Sequence, residues 1–402
     1  MTSALDALIV GGGPAGSVTA ALLARRGARV LIVDRAVFPR PKPCGDYLNP
    51  GCDEAFERLG VRAAVARIGA AMCGMRLVTP DGRAVPLAFP RRNGWAVPRR
   101  ELDQTLLEHA ERSGAAVQDG SRLIAFEGGT AGVRALVERG GRRTPVTARL
   151  IVGADGLRSA VARAAGIGAA PRRGRYTIGA YLGGLDGGAP GDGADRWGEI
   201  HLRRHGYCGV AHLPGGMANV TVAVPPAVLR AWRGRVEPEY WSWLHRCPGL
   251  RDRLARAERI GPFATVGPLG YHRRPVGRGR VLLVGDALAH VDPMTGQGVY
   301  LALRGAELCA AAAGVALDRT GVPSLRAYAS ARRRAFGAAF LVSRLVQALA
   351  FRPALIRRVS ARLARRPDLR ARLIGAVGNS EGAAGLLHPA VLYRLLGPMG
   401  GT

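Results

Sequence analysis

A run of glycines at residues 11–16 constrains the fold of this chain more tightly than any other feature. Val10-Gly11-Gly12-Gly13-Pro14-Ala15-Gly16 follows a leucine- and β-branched-rich segment at 4–10 and leads into 15–26, where apolar residues recur at helical spacing. A second buried run, 28–33, ends in Asp34. Strand, glycine turn, helix, strand and acid, in that order, specify a βαβ unit with parallel strands. Gly11 permits the tight turn, Gly13 leaves the backbone open to a pyrophosphate, and Gly16 lets the helix close on the strand. A pyrophosphate placed there meets unpaired N–H groups and the positive end of the helix dipole. Asp34 is positioned to accept hydrogen bonds from ribose hydroxyls. The expected ligand is an adenine dinucleotide.

Two further segments carry compatible chemistry. Gly153-Ala154-Asp155-Gly156 ends a strand at 149–152 and precedes Arg158 and Ser159, where it also caps a short helix. Val284-Gly285-Asp286 follows a core strand at 281–284, and Asp292-Pro293-Met294-Thr295-Gly296-Gln297-Gly298 opens a helix expected over 298–313. A carboxylate at Asp286 can hold ribityl hydroxyls, and the N–H groups at Gly296-Gln297-Gly298 can face negative charge on a reduced ring. A Pro-rich loop, 38–50, holds Lys42-Pro43-Cys44-Gly45, and Arg99 stands four residues before Asp103 at the start of a helix expected over 98–112.

Composition narrows the class. The chain has 402 residues, 48% hydrophobic, with 57 Gly and 26 Pro, which suits an α/β enzyme rich in turns. Six scattered cysteines form no C-x-x-C pair, so neither a metal site nor a disulfide framework is expected. The net charge is +29, and of 58 basic residues only Lys42 is lysine. From Ser324 onward Asp368 and Glu381 are the only acids in an arginine-rich helical stretch. No nucleic-acid motif accompanies this charge; an anionic membrane surface suits a basic, leucine-rich tail better, and a solvated arginine face is the plain alternative. The first apolar stretch lacks a basic leader, and the apolar run at 336–351 is interrupted by Arg344. The expected location is the cytoplasm, or the periphery of a membrane.

Between the dinucleotide segments the pattern is β-rich. A hairpin is expected at 75–87 around Pro80-Asp81-Gly82, a short helix at 53–59, and a meander at 121–152. Strands over 175–224 are joined loosely near Gly184, Gly187, Gly188 and Gly191. The expected fold is α/β. Residues 1–71, 97–170 and 266–323 build the dinucleotide domain, 72–96 and 171–265 a β-sheet substrate domain, and 324–402 a helical tail.

Taken together the three segments resemble the FAD-dependent hydroxylase superfamily, whose FAD domain is glutathione-reductase-like (Rossmann-type). The resemblance covers roughly the first 320 residues. It implies FAD as cofactor, with NAD(P)H as a transient electron donor. The implied cofactor contacts are Gly11, Gly13, Pro14, Ala15, Gly16, Asp34, Arg35, Arg99, Asp155, Gly285, Asp286, Gly296, Gln297 and Gly298. Lys42-Pro43-Cys44-Gly45 and the 291–300 segment are similar to the geranylgeranyl-reductase-like branch, which places Cys44 and Gly45 over the flavin. Gln297, at a position where that branch often carries glutamate, tilts the expectation toward hydroxylation of a lipophilic aromatic, polyketide or phenolic lipid. Reduction of prenyl or quinone double bonds is the alternative, and a non-catalytic, membrane-docked flavoprotein a third. Halogenation is not expected, because Trp241-Ser242-Trp243 lies in a helical stretch instead of a Trp-x-Trp-x-Ile-Pro segment. Cys44, Gly45, His212 and His290 are the catalytic candidates, and Tyr47, Trp95 and Tyr207 candidate pocket walls.

Overall fold

In the computed structural model, residues 5–129, 132–169, 174–185, 197–319 and 321–397 are described; Gly187, Gly188 and Gly191 of the loose connection lie outside them. The first strand, Leu5–Val10, pairs in parallel with Val30–Val33 on one side and with the end of Arg142–Gly153 on the other. Ala116–Gln118 extends the sheet beyond Val30–Val33, and Val281–Leu283 extends it beyond Arg142–Gly153, both in parallel. Helices on the faces bury both sides, so these strands read as continuous apolar runs without alternation. Leu8, Ile9, Ile32, Leu150, Ile151 and Leu282 are fully buried in one core.

The meander expected at 121–152 is present as Ser121–Gly128, Val133–Arg139 and Arg142–Gly153. Its last strand is long enough to do two jobs. Residues 142–148 pair antiparallel with the meander, and 148–153 join the parallel sheet.

The second sheet has seven strands in the order Glu258–Val266, Tyr176–Gly183, Ala218–Val224, Gly206–His212, Trp197–Arg203, Gly74–Val78, Ala84–Ala88. The last two are the expected hairpin. Period-2 alternation gives each strand two faces. Ile178, Cys208, Val210, Val220 and Val222 pack against Tyr240 and Leu244 of the helix Val236–His245. The opposite face presents Met75, Leu77, Ile200, Leu202 and Tyr207 to the C-terminal helices.

Those helices are Leu325–Ala350, Pro353–Arg365, Pro367–Val377 and Pro389–Leu396. The last three begin with proline, which lacks the N–H that a first helical residue has no use for and cannot continue the element before it. Hence the first two meet at a bend of 110°. On Pro353–Arg365, Ile356, Val359 and Leu363 are buried while Arg357, Arg358 and Arg365 are exposed. Burying each apolar side chain contributes about 1.5–3 kcal/mol, enough to fix the helix against the sheet. The segment is therefore a roof over the second sheet, packed along its apolar face.

The helix expected over 298–313 runs Gly298–Asp318 and has the length and mean hydropathy (1.4) of a membrane span, whereas 336–351 belongs to the bent pair Leu325–Ala350 and Pro353–Arg365, which reaches that measure only when the two helices are taken together. Some 61% of that window is buried inside the protein, against the glycine-loop helix Pro14–Ala24 among others.

Candidate functional site

Four of the five parallel strands deliver their C-terminal ends side by side to the site. Gly11 follows the first, Asp34 the second, Ala154-Asp155 the third and Gly285-Asp286 the fourth. That edge, at the reversal of strand order, is where α/β sheets bind ligands. The glycines are required by space. Gly11 has φ of +108°, and a Cβ there would lie 2.4 Å from the Ala154 carbonyl oxygen. At Gly16 a Cβ would sit 1.8 Å from the Gly11 oxygen, since the helix rests directly on the turn. Asp34 accepts from Gly12 N at 2.8 Å and from Ala36 N at 2.9 Å, so its carboxylate also holds the turn in shape.

A cationic wall faces this floor. Arg40 Nη2 stands 3.5 Å from where a Gly13 Cβ would be, and Lys42 Nζ 3.9 Å from the same point on Gly156. Arg40 also meets Asp103 at 3.2 Å and Asp34 at 4.0 Å. Arg99 grips Asp103 with two parallel bonds of 2.8 and 3.0 Å. Burial lowers the Lys42 ammonium from its ordinary value, and the nearby Asp286 charge works against that. Arg35, by contrast, is exposed. The sequence pattern singles out Arg35 and Arg99 as cofactor contacts and Lys42 only as part of Lys42-Pro43-Cys44-Gly45, and it does not reach Arg40.

The Cys44-Gly45 loop joins this wall to the second sheet. Burial raises the Cys44 thiol above its ordinary value, and the charge of the Arg99 guanidinium works against that. Asp46, fully buried, accepts from Tyr181 Oη at 2.7 Å, Asn219 Nδ2 at 2.8 Å and Arg99 N at 3.2 Å. Burial raises its carboxyl to about 6 against the pull of those three bonds. Asn219 also donates to Cys44 O at 2.8 Å. No sequence pattern pointed to Asp46, Tyr181 or Asn219, which are far apart along the chain.

Beside the Gly296–Gly298 turn an apolar cavity of about 100 Å3 opens between the second sheet and the roof. Leu77, Ile200 and Leu202 line it below, Ile356, Val359 and Ile374 above, and Tyr47, Met294 and Thr295 at one end. Asp292 ties that end down, accepting from Tyr207 Oη at 2.8 Å and pairing with Arg175 at 2.7 Å. Gln297 is fully buried and its amide donates to Val377 O at 3.2 Å, so the side chain fastens the turn to the roof.

Several expected residues lie elsewhere. His212 is on the face of the second sheet turned away from the cavity, with Nε2 3.3 Å from Glu199 Oε1. His201 and Arg253 approach the same carboxylate at 2.7 and 2.9 Å. Burial would raise the Glu199 carboxyl, but these three partners hold it well below its ordinary value. His212 thus belongs to a buried ion cluster and does not reach the cavity. Trp95 is also in the core, donating to Asp53 at 2.8 Å. Tyr207 packs beside Met294 with its hydroxyl committed to Asp292, and His290 stacks on Tyr271 at 6.4 Å. Trp241 and Trp243 are on the helix behind the far face of the second sheet.

Residues 4–343 match the family described as FAD binding domain. The chain belongs to that family. It is 31% identical over 326 residues to the menaquinone reductase of Mycolicibacterium smegmatis, covering 77% of this chain and 76% of that one. It is 30% identical over 349 residues to the digeranylgeranylglycerophospholipid reductase of Methanothrix thermoacetophila, covering 83% and 84%. A flavoprotein/dehydrogenase from Cytophaga hutchinsonii superposes with a TM-score of 0.84 over 97% of this chain and 96% of its own, at 20% identity. Flavin-dependent halogenases are among the solved structures of this fold. The protein is an FAD-dependent oxidoreductase.

The site suits FAD on its own features. Asp155 Oδ2 caps the helix Ala160–Ala164 through Ala160 N at 2.6 Å, while its Oδ1 is buried with no partner, as a carboxylate awaiting a hydroxyl donor would be. A Cβ added at Gly45 or at Gly298 would meet nothing within 4 Å. Open backbone beside a helix start and an orphaned acceptor are what a ring system and its polyol chain require.

Proposed function

We propose that this flavoenzyme reduces a carbon–carbon double bond in the prenyl or quinone portion of a lipid. The observation that carries the reading is the apolar cavity, roofed by the C-terminal helices and closed at one end by Tyr47, Met294 and Thr295 beside the Gly298 helix start. The expectation of hydroxylation rests on Gln297, whose amide nitrogen is spent on Val377 O while its Oε1 is buried without a partner, so this side chain does not decide between the two reactions. The names of the two relatives, both reductases of isoprenoid lipids, weigh on the same side.

Bound FAD supplies two-electron chemistry. The chain's own residues do the rest. The amides of the 11–16 turn, with Arg40 and Lys42 opposite, would hold the diphosphate. Asp34, Asp155 and Asp286 would accept from ribose and ribityl hydroxyls. The amides at Gly298 would face negative charge on the ring, and the leucine, isoleucine and valine walls exclude water from the reacting carbons. NAD(P)H is the proposed reductant and an anionic membrane, met by Arg357, Arg358 and Arg365, the proposed source of the lipid.

The test is anaerobic. Purified protein is reduced with NAD(P)H, and a prenylated naphthoquinone or polyprenyl lipid is added without oxygen. Saturated product supports the proposal. Product that forms only when oxygen is admitted returns the reading to hydroxylation, and absence of any NAD(P)H turnover favours the non-catalytic alternative.

A further inference from the structure

The roof segment 353–377, made of the helices Pro353–Arg365 and Pro367–Val377, is tied at both ends to one turn of the cofactor site. At its start Phe351, on the 110° bend before Pro353, lies under the Arg175 guanidinium, with Cζ 3.9 Å from the ring centroid. Arg175 Nη1 pairs at 2.7 Å with Asp292, which also accepts from Met294 N at 3.1 Å and so opens the turn leading to Gly298. At the far end Val377 O accepts from Gln297 Nε2 at 3.2 Å, and Gly378 O from Gly51 N at 2.9 Å. Asp292 and Gln297 thus bound one short stretch that grips both ends of the roof.

Both ties are light. Arg99 spends two parallel bonds on Asp103, at 2.8 and 3.0 Å. Arg175 spends one on Asp292, its Nε is buried with no partner, and 22% of its side chain is open to solvent. A partly hydrated guanidinium stacked on a ring can leave that ring without stranding its charge. At the far end Gln297 Oε1 is buried with no partner, as are Asn49 Nδ2, two residues before Gly51, and Tyr47 Oη, whose ring packs on Gly296. Unpaired polar groups at this end make the closed roof less stable than full pairing would. The hinges suit a swing. Pro353 has no N–H to bond back across the bend, and Asn379, just past the far end, is held at φ of +54°.

The cavity itself demands movement. Its volume of about 100 Å3 is less than the roughly 150 Å3 in which an apolar cavity accepts one benzene ring, so a prenyl chain enters only if the roof yields.

We propose that Arg175 is a positioning residue that latches the roof at Phe351 and, through Asp292, carries its opening to the turn facing the flavin. This rests on the cavity being the substrate site. As a lipid chain enters, 353–377 turns outward about 351–352 and 378–379, Arg175 parts from the ring, and Asp292 and Gln297 shift the turn between them.

The experiment uses the FAD-loaded protein as wild type, Phe351→Leu and Arg175→Met, with a short-chain prenylated naphthoquinone as probe. Phe351→Leu keeps an apolar side chain and leaves the Arg175–Asp292 pair intact. Arg175→Met keeps an apolar cover on Phe351 and cuts the link to Asp292. Stopped-flow flavin fluorescence reads the association rate, and hydrogen exchange reads 353–377. In Phe351→Leu the association rate should rise about tenfold and exchange should quicken in 353–377 but not in the first strand. In Arg175→Met the quinone should still bind, while the change it causes in wild-type flavin absorbance falls by more than half. A merely structural role would lower the thermal midpoint and move neither readout. An association rate within twofold of wild type in Phe351→Leu, or a full flavin response in Arg175→Met, overturns the proposal. If wild-type protein reduces the quinone yet both variants match it in these readouts, this inference falls and the reductase reading stands. If the latch behaves as expected and the quinone is not reduced, the reverse holds.

Discussion

Asp46 offers a quantitative test of how the two sheets are joined. Its carboxyl is fully buried between the Cys44-Gly45 loop and the second sheet, and lies at about 6 instead of its ordinary 3.8. The cause is burial, which three hydrogen bonds only partly offset. At about 1.36 kcal/mol for each tenfold change in proton affinity, ionising this group in the folded state costs about 3 kcal/mol relative to the unfolded chain. The direction follows from linkage. A folded protein that holds the proton more tightly is favoured below pH 4, loses that advantage as pH rises from about 4 to about 6, and is level above. Asp46→Asn removes the titration. The stability of wild type relative to Asp46→Asn should therefore fall by about 3 kcal/mol between pH 3 and pH 7. For 402 residues this corresponds to a difference in thermal midpoint of about 4 °C. The constant part of the change, from Tyr181 and Asn219 losing one acceptor oxygen, cancels when the two pH series are compared. Differential scanning calorimetry across that range reads the result. A flat difference, or a wild type that gains on the variant as pH rises, would refute the claim that desolvation dominates over hydrogen bonding at this carboxyl.

Three other substitutions probe the site. Gly16→Ala places a Cβ 1.8 Å from the Gly11 oxygen, so the purified variant should lack the flavin absorbance of the wild type; full FAD occupancy would contradict the packing argument. Arg40→Ala removes the cation that faces Gly13 and pairs with Asp103, and the FAD Kd should rise about 10- to 100-fold by fluorescence titration, a change below twofold counting against the assignment. His212→Ala should leave kcat within twofold of wild type while lowering the thermal midpoint, because it breaks into the Glu199 cluster on the far face; a large fall in kcat at unchanged stability would restore His212 as a catalytic residue.

The cofactor end was readable because its constraints are local. A glycine at Gly11 or Gly16 is demanded by the turn and by the helix packed on it, and buried parallel strands betray themselves as unbroken apolar runs. The helix boundaries at Pro353 and Pro367 are equally local, since proline lacks the N–H that would continue an earlier helix. Other features were out of reach for physical reasons. Alternation shows that Cys208, Val210 and His212 share a face, without telling which face meets the cavity. Arg40 and Lys42 sit in a loop with no period, so neither the arginine nor the chain's sole lysine can be assigned a partner from the pattern alone. Asp46 acquires its unusual carboxyl only when Tyr181, Asn219 and Arg99 converge on it.

What the sequence by itself determined was the dinucleotide fold, and with it FAD, because backbone geometry at a few glycines admits few alternatives. What the tertiary structure decided was that an apolar cavity lies beneath the C-terminal helices. The basic C-terminal helices, read along the chain as a surface feature, turn Ile356, Val359 and Leu363 inward and enclose the cavity with residues from the second sheet. That enclosure depends on packing between segments more than a hundred residues apart, which no local pattern encodes.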